Sequence, residues 1–184
     1  MRKIYFILIV LLSVSVNSQT SSKIYQTFSK EVDGIKISIE TPTTYELVDD
    51  PNDKYKINTV FLVSNKQTSY LSKNLIKVTQ KSIPQTFTDE MISEMMSDKN
   101  KSIQIFKGME RSNSGIKLDN DSFRSIVVNG VKFYKINFTN ILEKNISLFT
   151  FHRRKMFFVY FTYYDLKEGE MEEFDEILNS LVFK

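Results

Sequence analysis

The pattern of apolar and polar positions breaks most sharply at Lys155–Tyr164, KMFFVYFTYY, where eight of ten residues are apolar or aromatic and do not alternate with polar ones. In an extended chain Met156, Phe158, Tyr160 and Tyr164 point to one side, and Phe157, Val159, Phe161 and Tyr163 to the other. A strand apolar on both sides must be covered on both sides. It is therefore expected at the centre of a sheet, with a layer above and a layer below. The segment is too short to cross a bilayer as a helix, and its aromatic and β-branched content favours strand.

Elsewhere the pattern is more conventional. Ile35, Ile37 and Ile39 alternate with Lys36, Ser38 and Glu40 after the turn signal Asp33-Gly34, which predicts a half-buried strand ended by Thr41-Pro42. Ile57–Ser64 and Leu75–Gln80 read as further strands, with Asp49–Asp53 a loop by composition. Thr88 is a good helix cap, with Asp89 and Glu90 in the first turn and Met91, Ile92, Met95 and Met96 as an apolar stripe. This helix is expected to fade near Asp98–Lys101. Beyond it, Ile103 and Ile105 hint at a short strand, while Gly108, Asn113, Gly115 and Asp119–Asp121 break any period. A meander follows: strand Phe123–Val128, the hairpin turn Asn129-Gly130, strand Val131–Asn140, a turn at Glu143–Asn145, strand Ile146–Phe151, and a turn at His152–Arg154. Met171, Phe174, Ile177, Leu178 and Leu181 form the stripe of a last helix, whose start is expected at Asp165 or the acidic group after it. That helix must fold back over one face of Lys155–Tyr164. The Thr88 helix is the candidate cover for the other.

The N-terminus stands apart from this pattern. Arg2 and Lys3 precede thirteen mostly apolar residues, Ile4–Val16, and Val16 and Ser18 occupy positions a signal peptidase reads. The expected organisation is a signal peptide over 1–18, a flexible lead-in over 19–31 and a single α/β sandwich domain over 32–184. Export to the periplasm or exterior follows, with no transmembrane span once the signal is removed. Of the 25 Lys and Arg and 22 Asp and Glu, removal of 1–18 takes two cations and no acid. A chain so near neutrality lacks the basic field that nucleic acid requires. The absence of cysteine excludes disulfides, thiol catalysis and thiolate zinc sites.

The order of these elements resembles the PsbP-like superfamily, which takes its name from the extrinsic subunit of oxygen-evolving photosystem II. It also includes a Ran-binding nuclear import factor and bacterial envelope proteins of the DcrB type. The resemblance rests on Ile35–Pro42, on the Thr88-Asp89-Glu90 helix start, on Asn129–Tyr134, on the aromatic strand and on Phe174–Phe183, and covers most of 32–184. It implies an α+β fold, an antiparallel sheet flanked by helices in an α/β/α sandwich, and roles in protein binding or assembly rather than catalysis. The chain departs from the family's bacterial lipoproteins in having no lipid-acceptor cysteine, and no family metal or partner residue can be matched to it. The alternative fold is a strongly curved antiparallel sheet wrapped around one helix.

Candidate chemistry is sparse. His152 is the only histidine, which removes catalytic triads and two-histidine metal sites. It belongs to the cationic turn His152, Arg153, Arg154 and Lys155, a candidate anion or partner contact whose competing explanation is a solvated hairpin tip. Asp49–Asp53 and Asp119–Asp121 carry oxygen ligands but lack the alternating spacing, glycine and closing glutamate of a calcium loop. Ser114 and Lys117 match a Ser-x-x-Lys spacing by chance in a chain rich in both. Asn100, Asn120, Asn137 and Asn145 head glycosylation sequons, which matter only in a eukaryotic pathway. The methionine stripe is expected in the core, with a pliable binding face as the competing reading. The expected function is non-enzymatic: an exported protein-binding or assembly factor of the bacterial envelope, with no cofactor and an unidentified protein partner. A binding module for a small apolar or anionic ligand is the alternative.

Overall fold

A computed structural model of the chain describes residues 23–48, 59–66, 74–112, 115–140, 143–163 and 169–184. The signal segment 1–18, the loop Asp49–Asp53, Ser114, Tyr164, Asp165 and Glu168 lie outside the described residues. The elements in order are β1 (Tyr25–Val32), β2 (Ile35–Pro42), β3 (Tyr45–Leu47), β4 (Thr59–Asn65), β5 (Leu75–Ser82), α1 (Asp89–Ser97), α2 (Lys99–Ser112), β6 (Ile116–Val128), β7 (Val131–Asn140), β8 (Glu143–His152), β9 (Lys155–Tyr163), α3 (Glu170–Asn179) and β10 (Val182–Phe183). They form an antiparallel seven-stranded sheet in the order β3-β4-β5-β9-β8-β7-β6 and a three-stranded sheet β1-β2-β10.

The aromatic strand β9 is the fourth of seven, paired antiparallel with β5 on one side and β8 on the other. Phe157, Val159 and Phe161 enter one buried cluster, together with Phe174, Ile177 and Leu178 from α3, Leu181 just past it and the isoleucines of β2. Phe158 enters a second cluster with Phe106 of α2 and Phe149, and Met156 and Tyr160 pack against it. The two-sided covering expected from the sequence is present. Each large side chain so buried contributes about 1.5–3 kcal/mol relative to leaving it in water.

Three expectations are corrected. Residues 25–31 of the expected lead-in, with Val32, form β1, whose backbone pairs with β2 at eight positions. The region after Asp98 is helical: α2 presents Ile103, Phe106 and Met109 at helical spacing, and the Asp98 carboxylate accepts from the Asn100 amide at 2.7 Å to cap its start. The main cover of the second face is therefore α2, while α1, the expected cover, has no buried residue. The start of α3 also differs, with Gly169 at the cap in the left-handed conformation. The layer that carries α3 is completed by the three-stranded sheet, so one face meets helices and the other a helix with a small sheet.

At the edge of the large sheet, β6 slips register between Asp119 and Arg124. The extra residues turn Phe123 into the second cluster, where it stacks on Tyr134 at 5.2 Å. The Ser122 hydroxyl accepts from the Asn137 amide at 2.8 Å, replacing the ladder bond that the bulge removes.

Candidate functional site

The cationic turn sits at the end of β8 and the start of β9. Arg153 and Arg154 are both left-handed, at φ 45° and 59°. Among the described residues, the two-residue hairpin turns Asp33-Gly34 and Asn129-Gly130 reach the same conformation with residues that favour it. An ordinary side chain there costs about 1–2 kcal/mol per residue, so this turn is strained relative to its siblings.

Its side chains reach in opposite directions. Arg153 Nη1 donates to the Gly34 carbonyl at 3.1 Å, and Lys155 Nζ pairs with the Asp33 carboxylate at 2.8 Å. Arg154 Nη2 donates to the Phe87 carbonyl at 2.7 Å, and Nη1 contacts the Asp89 carboxylate. The turn is thus a clasp between the β1–β2 turn and the start of α1. Hydrogen bonds from Lys155 and Gln80 hold the Asp33 carboxyl below the usual carboxylate range. His152 faces Phe183 with ring centroids 5.5 Å apart. Burial, and after it the charge of Arg153, push its imidazole below the ordinary histidine range, and its Nε2 is buried without a hydrogen-bond partner. Both arginines are exposed and retain N–H donors beyond the bonds described.

Next to this clasp, α1 is held by polar contacts at its two ends. The Thr88 hydroxyl accepts from the Met91 amide at 3.2 Å, and Arg154 grips the segment just before and at its first residue. At the far end, Lys132 Nζ and the Tyr134 hydroxyl both donate to the Met96 carbonyl, at 2.6 and 3.1 Å, and the Ser102 hydroxyl donates to the Met95 carbonyl. The apolar stripe between these anchors is only partly used. Met96 packs against the aromatic cluster, Ile92 and Met95 are half-buried, and Met91 is 43% exposed. The expectation that this stripe is core fails at Met91, because α2 has taken the sheet surface.

The remaining candidates have structural explanations. Asp119, Asn120 and Asp121 are exposed within the β6 bulge. Asn145 is buried on β8, with its Oδ1 accepting from the Thr162 hydroxyl at 2.6 Å, which leaves no room for a glycan. Lys135, which the sequence does not single out, is 5% exposed beneath α3. Its Nζ lies 3.8 Å from Asp175 and over the Phe174 ring, and burial lowers its pKa. Between α3 and the sheet lies a crevice of about 10 Å³ lined by Ile39, Val78, Val159, Phe174 and Leu178 among others, roughly the space one water needs.

No family model and no curated protein matches the chain. Among solved structures it is similar to cyanobacterial PsbP (CyanoP) from Synechocystis sp. PCC 6803, at 14% identity and a TM-score of 0.56, covering 92% of this chain and 99% of that one. It is also similar to LpqN, involved in cell envelope biogenesis of Mycobacterium tuberculosis, at 10% identity and a TM-score of 0.51, covering 87% and 91%. The fold is PsbP-like, as the order of elements in the sequence implied.

Proposed function

We propose that this chain is an exported, non-enzymatic protein that binds or helps assemble a protein partner in the bacterial cell envelope. In this reading the partner lies on the methionine face of α1 beside the arginine turn. The observation that carries it is the state of α1: both ends are pinned, yet no residue of its apolar stripe is buried. Methionine adapts its shape to an apolar contact, and arginines beside such a patch supply directional donors to a partner's carboxylates or carbonyls. Arg154 acts here as the polar rim, with exposed Arg153 beside it in the turn, while His152 and Lys155 are engaged by Phe183 and Asp33; the turn holds two arginines where Asn-Gly would sit more easily.

Export is supported by the signal-like segment at 1–18, and the envelope assignment by the likeness to LpqN, which is involved in cell envelope biogenesis. No helix among the described residues is long and apolar enough to cross a membrane. The lack of enzymatic chemistry is supported by the chain's single histidine being packed against Phe183, and by the absence of cysteine. The second reading, an anionic ligand at the turn, is favoured by the spare guanidinium donors. An apolar ligand between α3 and the sheet is disfavoured, because the crevice there has room for about one water.

A photoreactive residue placed at Met91 should give a discrete crosslinked product in envelope preparations, and one at exposed Glu172 on α3 should not. Met95→Asp should abolish that product. Equal labelling from both positions, or none, would remove the protein-binding reading. Phosphate binding lost in Arg153→Ala would then favour the anion instead.

A further inference from the structure

Asn129-Gly130 is the single Asn-Gly pair in the sequence and forms the two-residue turn between β6 and β7, at φ 47° and 80°. Its side chain does more than suit the turn. Asn129 Nδ2 donates to the carbonyl oxygens of Asn179 at 2.8 Å and Leu181 at 3.0 Å. Those carbonyls lie where α3 ends and the chain passes into β10. A helix leaves its last carbonyls without partners inside the helix; in α3 those of Glu176, Ile177 and Leu178 accept from the amides of Ser180 and Leu181, and neither a basic residue in the last turn nor a glycine after it serves that of Asn179. Asn129 supplies the donor to Asn179 from fifty positions away in the chain, and a second donor to Leu181 just past the helix.

We propose that Asn129 is a modification site: a deamidation-sensitive latch whose intact amide clips the end of α3 and the start of β10 to the β6–β7 turn. This inference is independent of the partner-binding reading. The chemistry requires only water. The Gly130 backbone nitrogen attacks the Asn129 Cγ, and a ring C–N bond forms. The side-chain nitrogen leaves as ammonia, taking up the proton from the Gly130 N–H. Water then opens the succinimide at one of its two carbonyls, giving aspartate or isoaspartate. Glycine at the attacking position offers no side chain to hinder this approach.

The folded state opposes the reaction, because the amide must leave both carbonyls before Cγ can meet the Gly130 nitrogen. The product then cannot return to its former role. A carboxylate accepts hydrogen bonds and does not donate them, so it faces two carbonyl oxygens with no proton between. Isoaspartate also lengthens the backbone of a turn that has only two residues. The latch is closed as an amide and open as an acid.

The test incubates the full chain at mildly alkaline pH, folded and in urea, and maps residue 129 by mass spectrometry. Amide exchange at Leu181–Lys184 is followed in parallel. Conversion should be much slower in the folded chain. Asn129→Asp should speed exchange at Leu181–Lys184 about tenfold or more, as expected for two lost hydrogen bonds, while β8 and β9 stay protected. Asn129→Gly keeps a favoured turn and removes the donor without adding charge, so it should also speed exchange there, by less. It serves as the reading if the aspartate variant does not fold. Equal conversion rates folded and in urea would overturn the proposal, as would exchange at Leu181–Lys184 unchanged in both variants.

Discussion

Two helices of this molecule look alike in sequence and behave differently. In α1, Met91, Ile92, Met95 and Met96 form an apolar stripe; in α3, Met171, Phe174, Ile177 and Leu178 do. Both carry acids in the first turn and no base in the last. Yet α3 buries Phe174, Ile177 and Leu178, and α1 buries none. The difference lies in what each helix is joined to. The chain reaches α3 after the central strand and continues into β10, which pairs with β2, so the helix is drawn over the middle of the sheet and Phe174 stacks on Phe161 at 4.3 Å. By contrast, α1 is separated from α2 by Asp98 alone, and α2 inserts Phe106 between Phe123 and Phe149. An amphipathic stripe is a capacity for burial, and neighbours decide whether it is used.

The largest effect should come from truncating the used stripe. Phe174→Ala should cost about 3–5 kcal/mol in urea unfolding, through lost transfer energy and the cavity left against Phe161. Met91→Ala should stay within about 0.5 kcal/mol, as a surface substitution does. Equal costs would mean that α1 is packed as α3 is, and the docking surface proposed on it would vanish.

A smaller effect should separate the helices by how they are held. Thr88→Ala removes the hydroxyl that accepts from the Met91 amide, a loss of about 1 kcal/mol. Because α1 rests on its end contacts, that loss should appear as faster amide exchange within Asp89–Ser97, with little movement of the global midpoint. The start of α3, with Gly169 at the cap, makes no side-chain cap bond, so its hold comes from packing. A global midpoint shift of the full size in Thr88→Ala would tie α1 to the cooperative core.

What the sequence disclosed follows the same division between local and distant causes. The central strand, the Asn129-Gly130 turn and the Thr88 cap are set by a few adjacent residues, and each was legible. The strand β1 was not, because its polar, Ser/Thr-rich composition hides a segment held by backbone pairing to β2. The helix α2 was obscured by the strand-like spacing of Ile103 and Ile105 and by Gly108, although Ile103, Phe106 and Met109 are spaced for one helical face. The four residues of the cationic turn were singled out from charge alone. Their partners Gly34 and Asp89 lie 119 and 65 positions away, and the left-handed backbone of two arginines has no signature in the sequence.

The smallest expected effect tests the α3 side of the comparison through pH. His152 packs on Phe183, the residue with which β10 closes the layer carrying α3. Burial first, and the charge of Arg153 second, lower its pKa in the folded chain, whereas the unfolded chain titrates near about 6.5. Above that value the imidazole is neutral in both states and stability does not respond to it. As pH falls below about 6.5 the unfolded chain binds a proton that the folded chain refuses, so stability falls until the folded pKa is reached. Between about pH 7.5 and pH 5 the wild type should therefore lose stability relative to His152→Phe, which keeps an aromatic ring beside Phe183 and cannot titrate. Asp33 does not confuse this window. Its depressed carboxyl loses its contribution only as pH approaches and passes below the ordinary aspartate value of about 3.9. If the two proteins track each other between those pH values, the imidazole is as well solvated folded as unfolded. The contact that ties the turn to the α3 layer would then be open to water, and that layer would be held as loosely at this end as α1 is.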